Sequence, residues 1–282
     1  MEKNILLNVA ITNQTEDEIL KYILLSLEKA GEAYYIVTPN PEILVYANKH
    51  QEFRRILNNA RLALPDGVGV ILAGKILGKP FAERVTGVDL LEKLCKEIAK
   101  VNAADARKPI TVGFLGGGPK IAERTAECLT RKYPGLNVVL AASEWPSPSL
   151  RGASATKQSN SVIPSAVEGS SNKKIATPSA CNDKSQLDVP VDILFVAFGF
   201  PKQEEFMAEH IERSEIPVKI MMGVGGAFDY ISGNVSRAPL LIRLMGFEWL
   251  YRLIAQPWRI KRQLALVEFM YLVLKNGIIC ML

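Results

Sequence analysis

Short apolar, β-branched runs recur along the chain at Ile5–Val9, Tyr34–Val37, Arg61–Leu64, Ile110–Leu115, Val138–Ala141, Ile193–Phe198 and Val218–Val224. Between them lie longer segments in which apolar residues return every three or four positions. Strands apolar on both faces, alternating with amphipathic helices, are the pattern of a parallel sheet covered on each side. The expectation is an α/β fold: a Rossmann-like, mostly parallel sheet flanked by helices. The first helix marks its own start, because Thr15 stands three residues before Glu18 and just ahead of Ile19, Ile23, Leu24 and Leu27, the arrangement of a capping box.

Two stretches break the rhythm. Residues 144–187 are rich in Ser, Pro, Ala, Asn and Lys and sustain neither a helical nor a strand period, so they are expected to form a disordered surface insertion inside the core. Closing a long loop costs little extra entropy, and the fold can carry one. Beyond Asp229 the alternation ends, and Leu240 to Leu282 reads as helices interrupted at Pro257. There Phe247, Leu250, Tyr251 and Ile254 share one apolar face. The expected division is an α/β core over 1–236 and a basic, amphipathic helical appendage over 237–282. The last apolar stretch, Val267 to Leu282, contains Glu268 and Lys275 and is too short to span a bilayer. It either packs on the core or lies at a membrane surface.

With 282 residues, 48% of them apolar and 22% charged, the chain has an ordinary globular composition, which excludes disorder throughout. The net charge of +5 is modest but uneven: from Arg237 to Arg262 there are five Arg and one Lys against Glu248 alone. Such a local excess fits a phosphate group or an anionic membrane surface, and no nucleic-acid partner is expected. The four cysteines are scattered without a CxxC pair and the two histidines stand apart, so neither a zinc site nor a disulfide framework is expected. Met1 to Asn4 leads straight into an apolar run without a secretory signature, and the chain is expected to stay in the cytoplasm.

The candidate chemistry sits where strands end. Leu64-Pro65-Asp66-Gly67 brings a carboxylate to a turn before a helix, and Thr38-Pro39-Asn40-Pro41-Glu42 brings a hydroxyl and an amide to the same place after another strand. In open α/β sheets ligands bind at the carboxyl ends of strands; Asp and Asn there also serve as plain turn or N-cap residues. Gly113-Phe114-Leu115-Gly116-Gly117-Gly118-Pro119-Lys120 follows a strand and opens a helix, so Gly116 and Gly117 are candidates to hold a phosphate on backbone N–H groups, or simply make a tight turn. The run has neither a P-loop ending nor dinucleotide spacing, which counts against ATP hydrolysis and hydride transfer. Pro201-Lys202-Gln203-Glu204 places Gln203 near a strand end, where it can bind a sugar hydroxyl or amide, and Gly225-Gly226-Ala227-Phe228-Asp229 forms a third glycine turn. Three such turns favour a large polar ligand such as a nucleotide-sugar. Arg84, in Glu83-Arg84-Val85-Thr86-Gly87, offers a planar fork for a pyrophosphate or an exposed salt bridge.

Together with Glu248-Trp249-Leu250-Tyr251-Arg252, these motifs resemble the WecG/TagA/CpsF glycosyltransferase family in order and spacing, over nearly the whole chain except Glu144 to Leu187. The resemblance implies transfer of an N-acetylmannosamine-type sugar from a UDP donor to an N-acetylglucosaminyl-diphospho-polyprenol acceptor in cell-wall or surface polysaccharide synthesis. It implies inversion, no metal and no cofactor. On it, Asp66 looks like the general base and Thr38, Asn40, Arg84 and Gln203 like pocket residues. Arg252, Arg259 and Arg262 look like residues of an appendage that completes the site or grips anionic lipid at the inner face of the cytoplasmic membrane. A homo-oligomer is also implied. The 144–187 segment departs from the family pattern. A non-catalytic UDP-sugar-binding or membrane-adaptor protein would keep the glycine turns and the basic tail without needing Asp66.

Overall fold

The computed structural model describes residues 1–29, 31–145, 190–213, 217–244, 246, 248–255 and 260–281. All but two residues of the segment 144–187 therefore lie outside the described residues.

The chain opens with an antiparallel hairpin, β1 (Lys3–Leu6) and β2 (Val9–Thr12). The single strand expected at Ile5–Val9 is thus corrected: Leu7 and Asn8 both adopt left-handed backbone angles, φ 48° and 64°, and turn the chain back on itself. Two consecutive positive φ values match the twist of a two-residue hairpin. A leucine there carries no turn signal; what holds it is burial of Leu7 and two hydrogen bonds of Asn58, which accepts from Ala10 N–H and donates to the Asn8 carbonyl. The hairpin stays out of the main sheet but leans on it, with Thr12 Oγ1 accepting from Ala63 N–H at 3.2 Å.

The remaining strands are β3 (Tyr34–Val37), β4 (Leu62–Ala63), β5 (Thr111–Gly116), β6 (Asn137–Ala142), β7 (Val191–Ala197) and β8 (Val218–Gly223). They form one parallel sheet in the order β4-β3-β8-β7-β5-β6. Because side chains alternate across a strand, Tyr34 and Ile36 face one core with Ile193, Phe195, Ile220 and Met222. Tyr35, Val37, Leu194, Val196 and Met221 face the other. Helices α1 (Glu16–Glu28), α5 (Gly87–Ala104), α6 (Ile121–Lys132) and α8 (Ala227–Ile231) cover the first face. Thr15 and Glu18 form the expected capping box on α1. Helices α2 (Pro41–Lys49), α3 (Gln51–Asn59), α4 (Val68–Ile76) and α7 (Lys202–Arg213) cover the second.

Past the sheet come α9 (Leu240–Leu244), α10 (Glu248–Ala255) and α11 (Ile260–Met281). Helix α11 packs against α2 and α4, with Phe269 and Val273 fully buried in the second core and Lys49 paired to Glu268 at 2.6 Å. Gly69 permits this approach, since a Cβ there would meet Leu266 at 2.9 Å and Pro41 at 2.8 Å. The opposite side of α11 leaves Leu264, Val267, Tyr271 and Leu274 exposed. Among the described residues no helix is long and apolar enough to cross a membrane.

Candidate active site

A parallel sheet sends every strand end to one edge, and the turns there are tied to one another by backbone hydrogen bonds. Leu64 N–H donates to the Val37 carbonyl, Asp66 N–H to Pro39 at 3.2 Å, and Val85 N–H to Pro65 at 3.1 Å. The turns that carry Asn40, Asp66 and Arg84 are thereby held side by side. Gly67, with φ 90°, lets the chain leave Asp66 and enter α4 at an angle that an L residue would resist. These turns and those after β7 and β8 enclose a cavity of about 330 Å³. It lies at the carboxyl ends of β3, β4, β7 and β8, the edge at which ligands bind in open α/β sheets.

Thr38, Asn40, Asp66, Arg84 and Gln203, the five polar candidates carried by strand-end turns, all line this one cavity. Asn40 also caps α2: its Oδ1 accepts from Ile43 N–H at 3.1 Å, so its contribution to a ligand falls to the amide nitrogen. Thr38 is buried and donates to the Gly223 carbonyl. Gln203 accepts from Gly225 N–H through Oε1 at 3.0 Å and donates to Glu204 through Nε2 at 2.8 Å. Arg84 is anchored by donating Nη2 to the Arg243 carbonyl at 3.1 Å.

The far wall of the cavity comes from the C-terminal segment, through Arg237, Gly246, Glu248, Trp249 and Leu266. Arg237 clasps Asp89 with both guanidinium tips, at 2.7 and 2.9 Å, and lies 3.7 Å from Glu248. Thr86 adds a 2.6 Å hydrogen bond to Asp89. Burial opposes the Asp89 charge, but bonds from Arg237 and Thr86 and the nearby Arg243 outweigh it and hold the carboxyl below its usual pKa. Neither Asp89 nor Tyr230, which also lines the cavity, stood out in the sequence, and Arg237 entered only as the first of the basic residues of the tail. The Asp89 and Arg237 partners are 148 residues apart, and no local pattern marks either. Glu248 and Trp249 were visible only inside a motif.

A second cavity, of about 340 Å³, adjoins the first and shares Gly199, Gly225 and Gly226 with it. Gly117, Gly118, Ser143, Phe228 and Asp229 are also in its wall, with Ala197 and Phe198 from the end of β7. Gly116 lines neither cavity. It ends β5 against Ala197, where a Cβ would come within 2.8 Å of the Ala197 carbonyl, so the structure accounts for it by close strand packing. Arg259 lies outside the described residues, as do the side chains of Arg252 and Arg262 in α10 and α11. Among the described residues no group of three His, Cys, Asp or Glu side chains is gathered as a metal site.

A Rossmann-like sheet that gathers carboxylates, hydroxyls, two amides and two arginines in a crevice beside glycine turns is suited to a polar ligand. The chain belongs to the glycosyl transferase WecG/TagA/CpsF family, whose sequence profile matches residues 4–165 and 187–279, and it is a glycosyltransferase. The unmatched residues 166–186 fall inside the Ser- and Pro-rich segment. A relative from Bacillus spizizenii is 32% identical over 242 residues, covering 86% of this chain and 79% of its own. One from Staphylococcus aureus is 31% identical over 241 residues, covering 86% and 80%. Both are named N-acetylglucosaminyldiphosphoundecaprenol N-acetyl-beta-D-mannosaminyltransferase.

Proposed function

We propose that this glycosyltransferase moves N-acetylmannosamine, or a related sugar, from a UDP donor to N-acetylglucosaminyl-diphospho-polyprenol, with inversion and without a metal ion. The observation that carries the reading is the convergence of Asp66 with Thr38, Asn40, Arg84 and Gln203 in one crevice, in a chain whose relatives are named for that acceptor and that sugar. Asp66 is the general base. It takes the proton of the acceptor hydroxyl as that oxygen attacks the anomeric carbon from the face opposite UDP. The C–O bond to the diphosphate breaks as the new one forms, and UDP departs with the bonding pair. Thr38, Asn40 and Gln203 orient the sugars.

The negative charge that develops on the leaving diphosphate calls for fixed positive groups. Arg84 on the cavity wall and the backbone N–H of Gly118, in the turn that leads into α6, supply them, Gly117 N–H being taken by the Ala197 carbonyl at 3.0 Å, which puts the nucleotide across the second cavity. The tail arginines Arg252, Arg259 and Arg262 add to this charge or bind lipid phosphate.

The apolar face formed by Leu264, Val267, Tyr271 and Leu274, with Ile254 nearby in sequence and equally exposed, is the side we assign to the inner surface of the cytoplasmic membrane. A basic segment with one apolar face suits an interfacial helix. In the absence of a bilayer, the same face is where copies of the chain would associate.

Release of UDP from UDP-N-acetylmannosamine tests the reading, measured with and without a short-chain N-acetylglucosaminyl diphosphate-lipid and in the presence of EDTA. Acceptor-dependent release that survives EDTA is expected. Asp66→Asn should lower turnover about 10²–10⁴-fold while UDP still binds. Unchanged turnover in that variant removes Asp66 as base, and no release from any UDP-hexose by folded protein leaves a binding protein instead.

A further inference from the structure

Glu204, which follows Gln203 on the first turn of α7, is completely buried. A buried carboxyl is normally matched by a cation, yet among the described residues none is paired with this one. Its Oε1 accepts from Gln203 Nε2 at 2.8 Å, and its Oε2 has no hydrogen-bond partner. Burial pushes the carboxyl up to about 7, against the opposing hydrogen bonds from Gln203 and from its own backbone N–H. Side-chain packing alone does not call for such a group, since a methionine or leucine would fill the space without an unsatisfied oxygen.

Gln203 shows what the carboxyl does. A glutamine amide can be turned either way round, with oxygen and nitrogen exchanging places. Gly225 N–H requires an acceptor and so claims Oε1, at 3.0 Å; Glu204 offers an acceptor and claims Nε2. Both neighbours select the same orientation. Beneath the amide lies Gly223, where a Cβ would stand 3.1 Å from Nε2 and 3.0 Å from Met207 Cε. Of the two Nε2 hydrogens one is committed to Glu204, which leaves a second on a side chain that lines the cavity.

We infer that Glu204 is a positioning residue: by accepting from Nε2 it locks the Gln203 amide with a donor hydrogen directed to the ligand and its oxygen on the Gly225 turn. The inference rests on the proposal that Gln203 touches a substrate. Holding a binding group in one orientation before the ligand arrives removes an ordering penalty from the bound and transition states.

The test uses the full chain with Glu204→Met, Glu204→Gln and Gln203→Ala, alone and combined, and reads kcat, KM, the thermal midpoint and the side-chain NH₂ resonances of Gln203, assigned by their loss in Gln203→Ala. Glu204→Met should melt no lower than wild type, lose about tenfold in kcat/KM, as expected for one misaligned hydrogen bond, and move the Gln203 NH₂ resonances toward their free-amide positions. Glu204→Gln keeps an acceptor oxygen and should restore kcat/KM to within about threefold of wild type. Added to Gln203→Ala, Glu204→Met should cost nothing further, because the two act as one unit. If Glu204→Met does not fold, Glu204→Ala removes the same acceptor and replaces it in each comparison. Unshifted Gln203 resonances in the Met or Ala variant, or a full additional loss in the Gln203→Ala background, overturns the inference. Absence of transfer by folded wild type would instead overturn the proposed function, and the resonances would still decide the role of Glu204.

Discussion

The two walls of the cavity are made differently. On the strand-end wall, Thr38, Asn40, Asp66 and Gln203 sit on turns fixed by backbone hydrogen bonds and by the parallel sheet beneath them. The wall contributed after residue 236 is held by one ion-pair cluster, Arg237 with Asp89 and Glu248, by the Arg84 bond to the Arg243 carbonyl, and by α11 docked through Phe269 and Val273. The first wall cannot move without disturbing the core. The second is joined to the core through side chains, α11 being packed on α2 and α4 and not hydrogen-bonded into the sheet, so its opening can be separated from that of the sheet. On the proposed function, the groups that act on the sugar belong on the first, and admission of the acceptor belongs to the second.

The sharpest way to break this contrast is Phe269→Ala. Emptying a fully buried aromatic site costs about 3–5 kcal/mol, and here the loss should fall on α11: hydrogen exchange should accelerate through 260–281 and transfer should drop, while the amides of β3, β7 and β8 keep their protection. Equal loss of protection in sheet and helix would show that the walls are one cooperative unit.

The strand-end wall has its own signature in pH. Burial raises the Glu204 carboxyl from 4.5 to about 7, so between those values the folded chain holds a proton that the unfolded chain has released. Stability therefore falls as pH rises from 4.5 to 7 and levels off above, by on the order of 3 kcal/mol in all. Glu204→Gln should lack this slope, and denaturant unfolding of both proteins from pH 4.5 to 8 checks it. Parallel curves would mean that the carboxyl is ionised throughout.

The smallest effect is expected from Asp89→Asn. The carboxylate is partly exposed, so losing the clasp should lower overall stability by only about 1 kcal/mol. On the proposed function, KM for the acceptor should rise more than kcat falls, because the wall is displaced and Asp66 is not. A fall in kcat alone would place Asp89 with the strand-end wall.

Most of the strand-end wall was legible in the residue pattern. Parallel strands must finish at one edge, so recognising Tyr34–Val37 and the run ending at Leu64 as strands already places Thr38, Asn40 and Asp66 together; Arg84 followed from its turn before a helix. The hairpin was not legible, since Leu7 in a left-handed conformation gives no compositional sign, and the turn depends on Asn58 from a distant helix. Gly116 read as a phosphate candidate because a glycine required by close packing against Ala197 and one required by a ligand look identical in one dimension.

What the sequence by itself determined was the alternation of strand and helix, and with it the edge at which the reactive groups appear, because hydrophobic period and turn chemistry are local properties. Only the tertiary structure decided which distant side chains meet: Asp89 with Arg237, Arg84 with the Arg243 carbonyl, Gln203 with Gly225, and α11 with Gly69. Those pairings depend on the route of the chain between elements, and the energy of a contact between residues 148 positions apart leaves no periodic trace in either neighbourhood.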